Sequence, residues 1–170
     1  CQALHLAREY ASDGCHTEGK EVKHVFTKEI VNVSDQQFQD KREVISYLAD
    51  LADKAGKITD KKSYVEAVLK REEVVSTAIG YSVAIPHGES DAVKDTFVAC
   101  LKLNHPLQWD EEQVNLIFMF GVPLASRNAE HLRILAMLSR HLIKADFRQQ
   151  LQDAKTSEAF YDCISVLEEE

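Results

Sequence analysis

The order of the predicted elements indicates an α/β sandwich, in which helices cover a mixed β-sheet. Residues 96–103 and 114–120 are almost continuously apolar, which is typical of strands buried on both faces. Segments with apolar residues at helical spacing lie both before and after these two runs. A chain of 170 residues, 45% of them hydrophobic, is long enough to bury one substantial core between such layers.

Ahead of the two apolar runs, the sequence predicts one strand and two helices. Residues 30–33 are mostly β-branched and favour a short strand. Asp40, with a glutamate three residues later, fits a capping box, and the apolar residues that follow repeat at helical spacing until Gly56 ends the helix. Thr59 is the predicted cap of the second helix, which is expected to end near Arg71.

The rest of the chain alternates between extended and helical patterns. Residues 74–78 and 83–85 are predicted to be extended. After the second apolar run, Asn128 is the predicted cap of a helix whose apolar residues follow a 3.6-residue period. Two further helices are predicted over residues 146–154 and 157–168.

The first 24 residues differ in character from the remainder. Residues 12–24 are polar and contain Gly14 and Gly19, as a linker would. We therefore interpret residues 1–24 as a linker or the end of a preceding region, and place the domain over residues 25–170.

Composition and missing motifs exclude several function classes. A formal net charge of −8 argues against a direct nucleic-acid binder, and the longest apolar run, residues 116–125, is too short to span a bilayer. None of the four cysteines forms a C-x-x-C pair, which favours reduced thiols and a cytoplasmic protein. The sequence has no nucleotide-binding glycine motif and no H-E-x-x-H, so it predicts no cofactor and no metal ion.

One short segment has an unusual composition: Ala84-Ile85-Pro86-His87-Gly88. Proline fixes its own φ and lacks an N–H, and glycine lets a ligand or another backbone approach closely. An imidazole placed between them at the end of a strand can serve as a general base, a metal ligand or a nucleophile. From this spacing alone, an ordinary turn histidine is the favoured interpretation of His87, because loop histidines are common and few are functional.

Two other residues have both a structural and a functional interpretation. His131 falls in the first turn of the helix after Asn128, where free N–H groups favour anions and a neutral imidazole could donate to a phosphate oxygen. Taken alone, it is better interpreted as a surface histidine beside a buried leucine. Arg71 lies near the end of a helix, where a cation is favourable, and it could also bind a phosphate with two hydrogen bonds.

Four motifs occur along the chain: Arg71-Glu72-Glu73, Ser76-Thr77-Ala78-Ile79-Gly80, Val83-Ala84-Ile85-Pro86-His87-Gly88 and a block from Glu130-His131-Leu132 to Ser139. Taken together, these motifs resemble enzyme IIA, the A component, of the fructose–mannitol class of the bacterial sugar phosphotransferase system. The resemblance runs from about residue 26 to the end of the chain, and the motifs occur in the family's order. One departure is that Gly80-Tyr81-Ser82 replaces a frequent Gly-x-Gly, so that Ser82 restricts the backbone there.

The resemblance implies a phosphoryl carrier with an α/β sandwich fold. It implies that His87 accepts the phosphoryl group from the histidine phosphocarrier protein HPr and passes it to a cysteine of a B component. His131 would be the second active-site histidine and Arg71 the active-site arginine. Because two proteins must reach the same imidazole in turn, we expect His87 to be exposed, neutral and only modestly stabilised when phosphorylated.

Other functions stay open at the level of the sequence. A regulatory module of the same fold would use phosphorylation of His87 to control an attached or partner protein. A metal-dependent hydrolase would use His87, His131 and a carboxylate such as Glu89, and would need three protein ligands. A purely structural role would leave the paired histidine and arginine motifs without a purpose.

Overall fold

A six-stranded mixed sheet forms the centre of the structure, a computed structural model that describes residues 24–168 and, for residues 126–128, the backbone alone. The strands are β1 (Val31–Ser34), β2 (Ala78–Gly80), β3 (Val83–Ala84), β4 (His87–Ser90), β5 (Phe97–Trp109) and β6 (Glu112–Pro123). The strand order is β1-β5-β6-β3-β2, and β4 pairs with β6 further along the edge that β3 occupies. The pairs β1–β5, β3–β6 and β4–β6 are parallel, whereas the pairs β5–β6 and β2–β3 are antiparallel.

Helices cover both faces of this sheet, so the predicted α/β sandwich is confirmed. Successive residues of β6 alternate between the two faces: Phe118 packs with the helices that follow the sheet, and Met119 packs with the helices that precede β2. This alternation explains why β5 and β6 are apolar at nearly every position over their buried parts. The helices are α1 (Lys41–Lys54), α2 (Lys61–Val74), α3 (Arg127–Leu142), α4 (Ala145–Asp153) and α5 (Ser157–Ser165).

The helix ends agree with the predictions at some positions and correct them at others. Asp40 accepts a hydrogen bond from the Glu43 N–H as the N-cap of α1, and Gly56 adopts a φ of 76° just beyond the end of that helix. The predicted cap at Thr59 is wrong, because Asp60 caps α2 and the Thr59 hydroxyl donates instead to the Ala92 carbonyl. A carboxylate directly next to the helix reaches its free N–H groups better than a hydroxyl one residue earlier.

The later elements show further differences from the sequence predictions. Helix α2 continues to Val74, so the extended segment begins later than residue 74. Asn128 lies in the first turn of α3, after a 3-10 turn over Leu124–Ser126, and is therefore not the residue before the helix. Strand β5 continues through residues 105 and 106, past the end of the predicted apolar run at residue 103, and its pairing with β6 shifts register between Lys102 and Leu107.

A two-residue turn joins β2 to β3 at the position where the family resemblance departs. Tyr81 and Ser82 have φ values of 58° and 65°, and the preceding Gly80 has a φ of 89°. Turns with two successive positive φ values match the twist of an antiparallel pair, but they favour glycine or asparagine. Ser82 is therefore held in a left-handed conformation that costs about 1 kcal/mol relative to glycine.

The first and last described residues contact each other. The Glu168 carboxylate accepts hydrogen bonds from the N–H groups of Val25 and Phe26 and lies 2.7 Å from Nδ1 of His24. The predictions for residues 1–23 lie outside the described residues, and the domain boundary near Val25 stays a prediction. Over residues 24–168, no helix combines the length and apolar character needed to cross a bilayer.

Candidate active site

The backbone around His87 is set by two short strands that pair with the same neighbour. Strand β3 pairs with β6 at Leu116 and Ile117, and β4 resumes the pairing at Phe120. Pro86 lies between the two short strands, and its carbonyl accepts a hydrogen bond from the Phe120 N–H over 3.1 Å. Proline is tolerated here because it lies between the β3–β6 pairing and the β4–β6 pairing, where no backbone N–H donor is needed. His87 therefore begins a strand, whereas the sequence pattern placed it at the end of one.

The His87 side chain is buried, contrary to the expectation of an exposed imidazole. Only 7% of the residue is exposed, and its ring stacks on Phe120 with centroids 4.7 Å apart and planes inclined by 8°. Burial disfavours the charged form of the imidazole and, with smaller contributions from nearby His131 and Arg71, lowers the pKa of His87 from 6.5 to about 4. The ring is therefore neutral near pH 7, as a nucleophile must be.

A single hydrogen bond determines which nitrogen of His87 is nucleophilic. Nδ1 lies 2.9 Å from the Ile85 carbonyl oxygen. Because a carbonyl can only accept, Nδ1 must carry the proton of the neutral ring. Nε2 therefore holds the lone pair and is the atom that can form a new bond.

Gly88 is required by packing on the opposite face of β4. A Cβ at this position would lie 3.0 Å from Cγ2 and 3.2 Å from the backbone nitrogen of Val68. The glycine therefore lets helix α2 pack closely against the strand, which is one of the two roles that the sequence suggested. Since α2 also carries Arg71, this close packing brings the guanidinium toward the start of β4.

His131 and Glu89 form a hydrogen-bonded pair beside His87. Nδ1 of His131 lies 2.7 Å from a carboxylate oxygen of Glu89, and the side chains are 25% and 33% exposed. The rings of His131 and His87 have centroids 4.9 Å apart. Nε2 of His131 is buried and has no hydrogen-bond partner among residues 24–168. With Nδ1–H directed at Glu89, a neutral His131 presents a lone pair at Nε2, so the predicted donation from a neutral ring to a phosphate oxygen would need the other tautomer.

Arg71 lies in the last turn of α2, which ends at Val74. Its guanidinium donates a hydrogen bond of 2.9 Å to the Val75 carbonyl, which follows the helix. The remaining N–H groups have no carboxylate partner among the ion pairs of the described residues. Arg71 is thus held at the helix end, where a cation is favourable, and is also free to bind an anion.

The three predicted site residues line one cleft of about 240 Å³, at the start of β4 between α2 and α3. Sequence reasoning missed two contributors: Phe120, which stacks on His87, and Glu89 as the partner of His131. Glu89 follows His87 by two residues, so recognising β4 as a strand would have placed both on one face.

No group of three or more His, Cys, Asp or Glu suited to a metal ion occurs in the described part of the chain, which leaves the hydrolase alternative without its ligands. The cleft is lined by Ala67, Arg71, His87, Gly88, Glu89 and His131.

A family model and individual relatives point to the same family for this chain. The family model described as "Phosphoenolpyruvate-dependent sugar phosphotransferase system, EIIA 2" matches residues 24–166. The fructose-specific EIIA component of Haloferax volcanii is 33% identical over 132 residues, which are 76% of this chain and 85% of that protein. The fructose-specific EIIABC component of Bacillus subtilis is 31% identical over 85% of this chain, and the chain spans 23% of that longer protein.

A solved structure shows the same fold. Nitrogen regulatory protein IIA-Ntr from Neisseria meningitidis superposes with a TM-score of 0.74 at 24% identity, over 82% of this chain and 96% of that one. At this identity the likeness concerns the fold alone. The matches in sequence carry the assignment: the chain belongs to the EIIA 2 family of the phosphoenolpyruvate-dependent sugar phosphotransferase system and is a phosphoryl carrier domain of that system.

Proposed function

We propose that His87 accepts a phosphoryl group at Nε2 from the phosphohistidine of an HPr-like carrier and passes it to a cysteine of a B component during sugar uptake. The observation that carries this proposal is the fixed tautomer of His87. Its Nδ1–H is bonded to the Ile85 carbonyl, and the buried ring is neutral with a free Nε2 lone pair. A neutral, oriented imidazole is the nucleophile that this reaction needs.

The rest of the cleft suits phosphoryl transfer without a metal ion or a nucleotide. The transferred group passes through a loose transition state, so the protein mainly positions the reactants and stabilises charge. Arg71 can contact the phosphoryl oxygens, and His131 lies beside the accepting ring. In the transfer, the Nε2 lone pair of His87 forms the new N–P bond as the donor's N–P bond breaks, and that electron pair returns to the donor imidazole.

The name of a relative supports the acceptor half of the proposal. The Bacillus subtilis relative is called an EIIABC component, so that an A component and a B component occur in one protein.

A formal charge of −8 suits a partner with a basic docking surface and disfavours a nucleic acid. We propose residues 25–170 as the unit that carries this activity. The cytoplasmic location stays a prediction from the cysteine pattern.

Intact-mass measurement tests the acceptor step. The wild type, His87→Ala and His105→Ala would each be incubated with phosphoenolpyruvate, enzyme I and HPr. We expect one acid-labile phosphate on the wild type and on His105→Ala, whose histidine is exposed on β5, and none on His87→Ala. Full labelling of His87→Ala would rule out His87 as the acceptor.

Adding a purified B component then separates transport from regulation. On the proposed function, the label leaves the wild type and appears on the B-component cysteine. His131→Ala is expected to slow this transfer. If the label persists with an active B component present, the regulatory alternative, in which phosphorylated His87 controls an attached or partner protein, becomes the better account.

A further inference from the structure

Nothing in the family assignment gives Glu89 a role, yet its carboxylate is hydrogen-bonded to His131. We propose that Glu89 is a positioning residue of the phosphoryl-transfer site, and that its carboxylate enables His131 to take up a proton at Nε2 when His87 is phosphorylated. This inference rests on the proposed function, because it concerns the phosphorylated state of His87.

The geometry of β4 places Glu89 correctly for this role. His87 and Glu89 lie two residues apart on a strand whose pairing with β6 is regular from His87–Phe120 to Ser90–Pro123. Their side chains therefore extend from the same face, on the side where helix α3 packs. The 2.7 Å hydrogen bond from Nδ1 of His131 to Glu89 orients the imidazole next to the His87 ring.

The tautomer of His131 makes protonation necessary for a useful contact. Nδ1 donates to the carboxylate, so Nε2 of the neutral ring has only a lone pair. A lone pair repels the oxygens of a phosphoryl group, whereas an N–H attracts them. In this tautomer His131 can thus stabilise phosphorylated His87 only as an imidazolium, whose Nδ1–H would remain paired with the Glu89 carboxylate 2.7 Å away.

The charges around the cleft also favour uptake of a proton. Phosphorylation places a phosphoryl group with about two negative charges on Nε2, while the ring, which keeps its Nδ1 proton, gains one positive charge, so that the site gains one negative charge in total. The side chains that line the cleft include one permanent cation, Arg71, and one carboxylate, Glu89. A proton on His131 restores part of this balance and converts its contact with Glu89 into an ion pair. Three residues contact His131: Glu89 and His87 of β4, and the uncharged Phe120 of β6. Arg71 of α2 shares its cleft. On α3, the neighbouring Glu130 pairs with Arg133.

The complete step balances in atoms and charge. The lone pair on Nε2 of His87 forms the N–P bond, the donor's N–P bond breaks, and the Nδ1 proton of His87 remains directed at the Ile85 carbonyl. One proton from water adds to Nε2 of His131. When the phosphoryl group leaves for the acceptor, that proton returns to water, so the carrier is restored after each cycle.

Nitrogen-15 NMR of the histidine rings tests the inference on the intact chain, because ring nitrogen shifts distinguish a neutral tautomer from an imidazolium. Spectra would be recorded near neutral pH, before and after phosphorylation maintained by phosphoenolpyruvate, enzyme I and HPr. In the wild type we expect His131 to change from the neutral Nδ1–H form to the imidazolium. The matched control is Glu130→Gln, which removes a carboxylate from α3 that pairs with Arg133 and should behave like the wild type.

Glu89→Gln retains an oxygen that can accept from Nδ1–H but lacks the charge. We expect that its His131 does not become an imidazolium at the same pH, and that phosphoryl transfer slows about tenfold or more. If the wild type is phosphorylated, as its mass shows, while His131 stays neutral, the inference is overturned and the proposed function stands. An imidazolium in Glu89→Gln equal to that of the wild type overturns it as well. A wild type that accepts no phosphate would overturn both.

Discussion

Lowering the pH from about 7 to about 5 is expected to destabilise the folded protein through His87. Burial holds the pKa of this imidazole at about 4 in the native state, compared with 6.5 for an ordinary histidine. The unfolded chain therefore binds a proton at a pH at which the folded chain does not. The stability that His87 contributes is complete above pH 6.5, falls as the pH drops through the range between these two values, and is fully lost below about pH 4.

The magnitude follows from the two pKa values. A difference between 6.5 and about 4 corresponds to a total of about 3 kcal/mol, of which about 2 kcal/mol is lost by pH 5. Urea unfolding of the wild type and His87→Gln at both pH values measures this loss, because the glutamine does not titrate. We expect the wild type to lose about 2 kcal/mol more than the variant on acidification. Equal losses in the two proteins would refute the buried, neutral state of His87.

Three further predictions test the local structure by the effect of substitutions on the free energy of unfolding. Ser82→Gly should stabilise the protein by about 1 kcal/mol, since it relieves a φ of 65°; an unchanged or lower stability would contradict the strained turn. Asp60→Ala should destabilise it by about 1 kcal/mol through loss of the cap of α2, whereas Thr59→Val, which removes no cap, should cost less. Gly88→Ala should cost about 1–3 kcal/mol, because its Cβ would lie 3.0 Å from Val68; a neutral effect would show that α2 can move away.

The parts of the fold that could be predicted are those whose signal is local. The two apolar runs identified β5 and β6, since strands covered on both faces need apolar side chains at nearly every position. Strand β4 was missed because His87–Ser90 contains a glycine and three polar side chains. Its extended conformation comes from pairing with β6, a tertiary contact that no local pattern contains.

The candidate site was predicted in part for the same reason. The motifs identified His87, His131 and Arg71, but the burial of His87 depends on Phe120, which β6 supplies from a distant part of the sequence. The tautomer of His131 likewise depends on Glu89, which only the folding of β4 beside α3 brings within hydrogen-bond distance. The types of the site residues could therefore be predicted from the sequence. Their protonation states could not, because these depend on which side chains lie next to them in the folded protein.

Burial of the nucleophile is compatible with a carrier that must also release its group. Burial lowers the pKa of His87 and keeps the ring neutral and therefore reactive, and the cleft at the start of β4 gives partners a path to Nε2. On the proposed function, a second permanent cation would bind the phosphoryl group more tightly. It would slow the departure of the group, because a more stable intermediate has a higher barrier to onward transfer. A proton on His131 avoids this difficulty, since it is present only while the phosphoryl group is bound. The site would then stabilise the charged intermediate without binding it too strongly to pass it on.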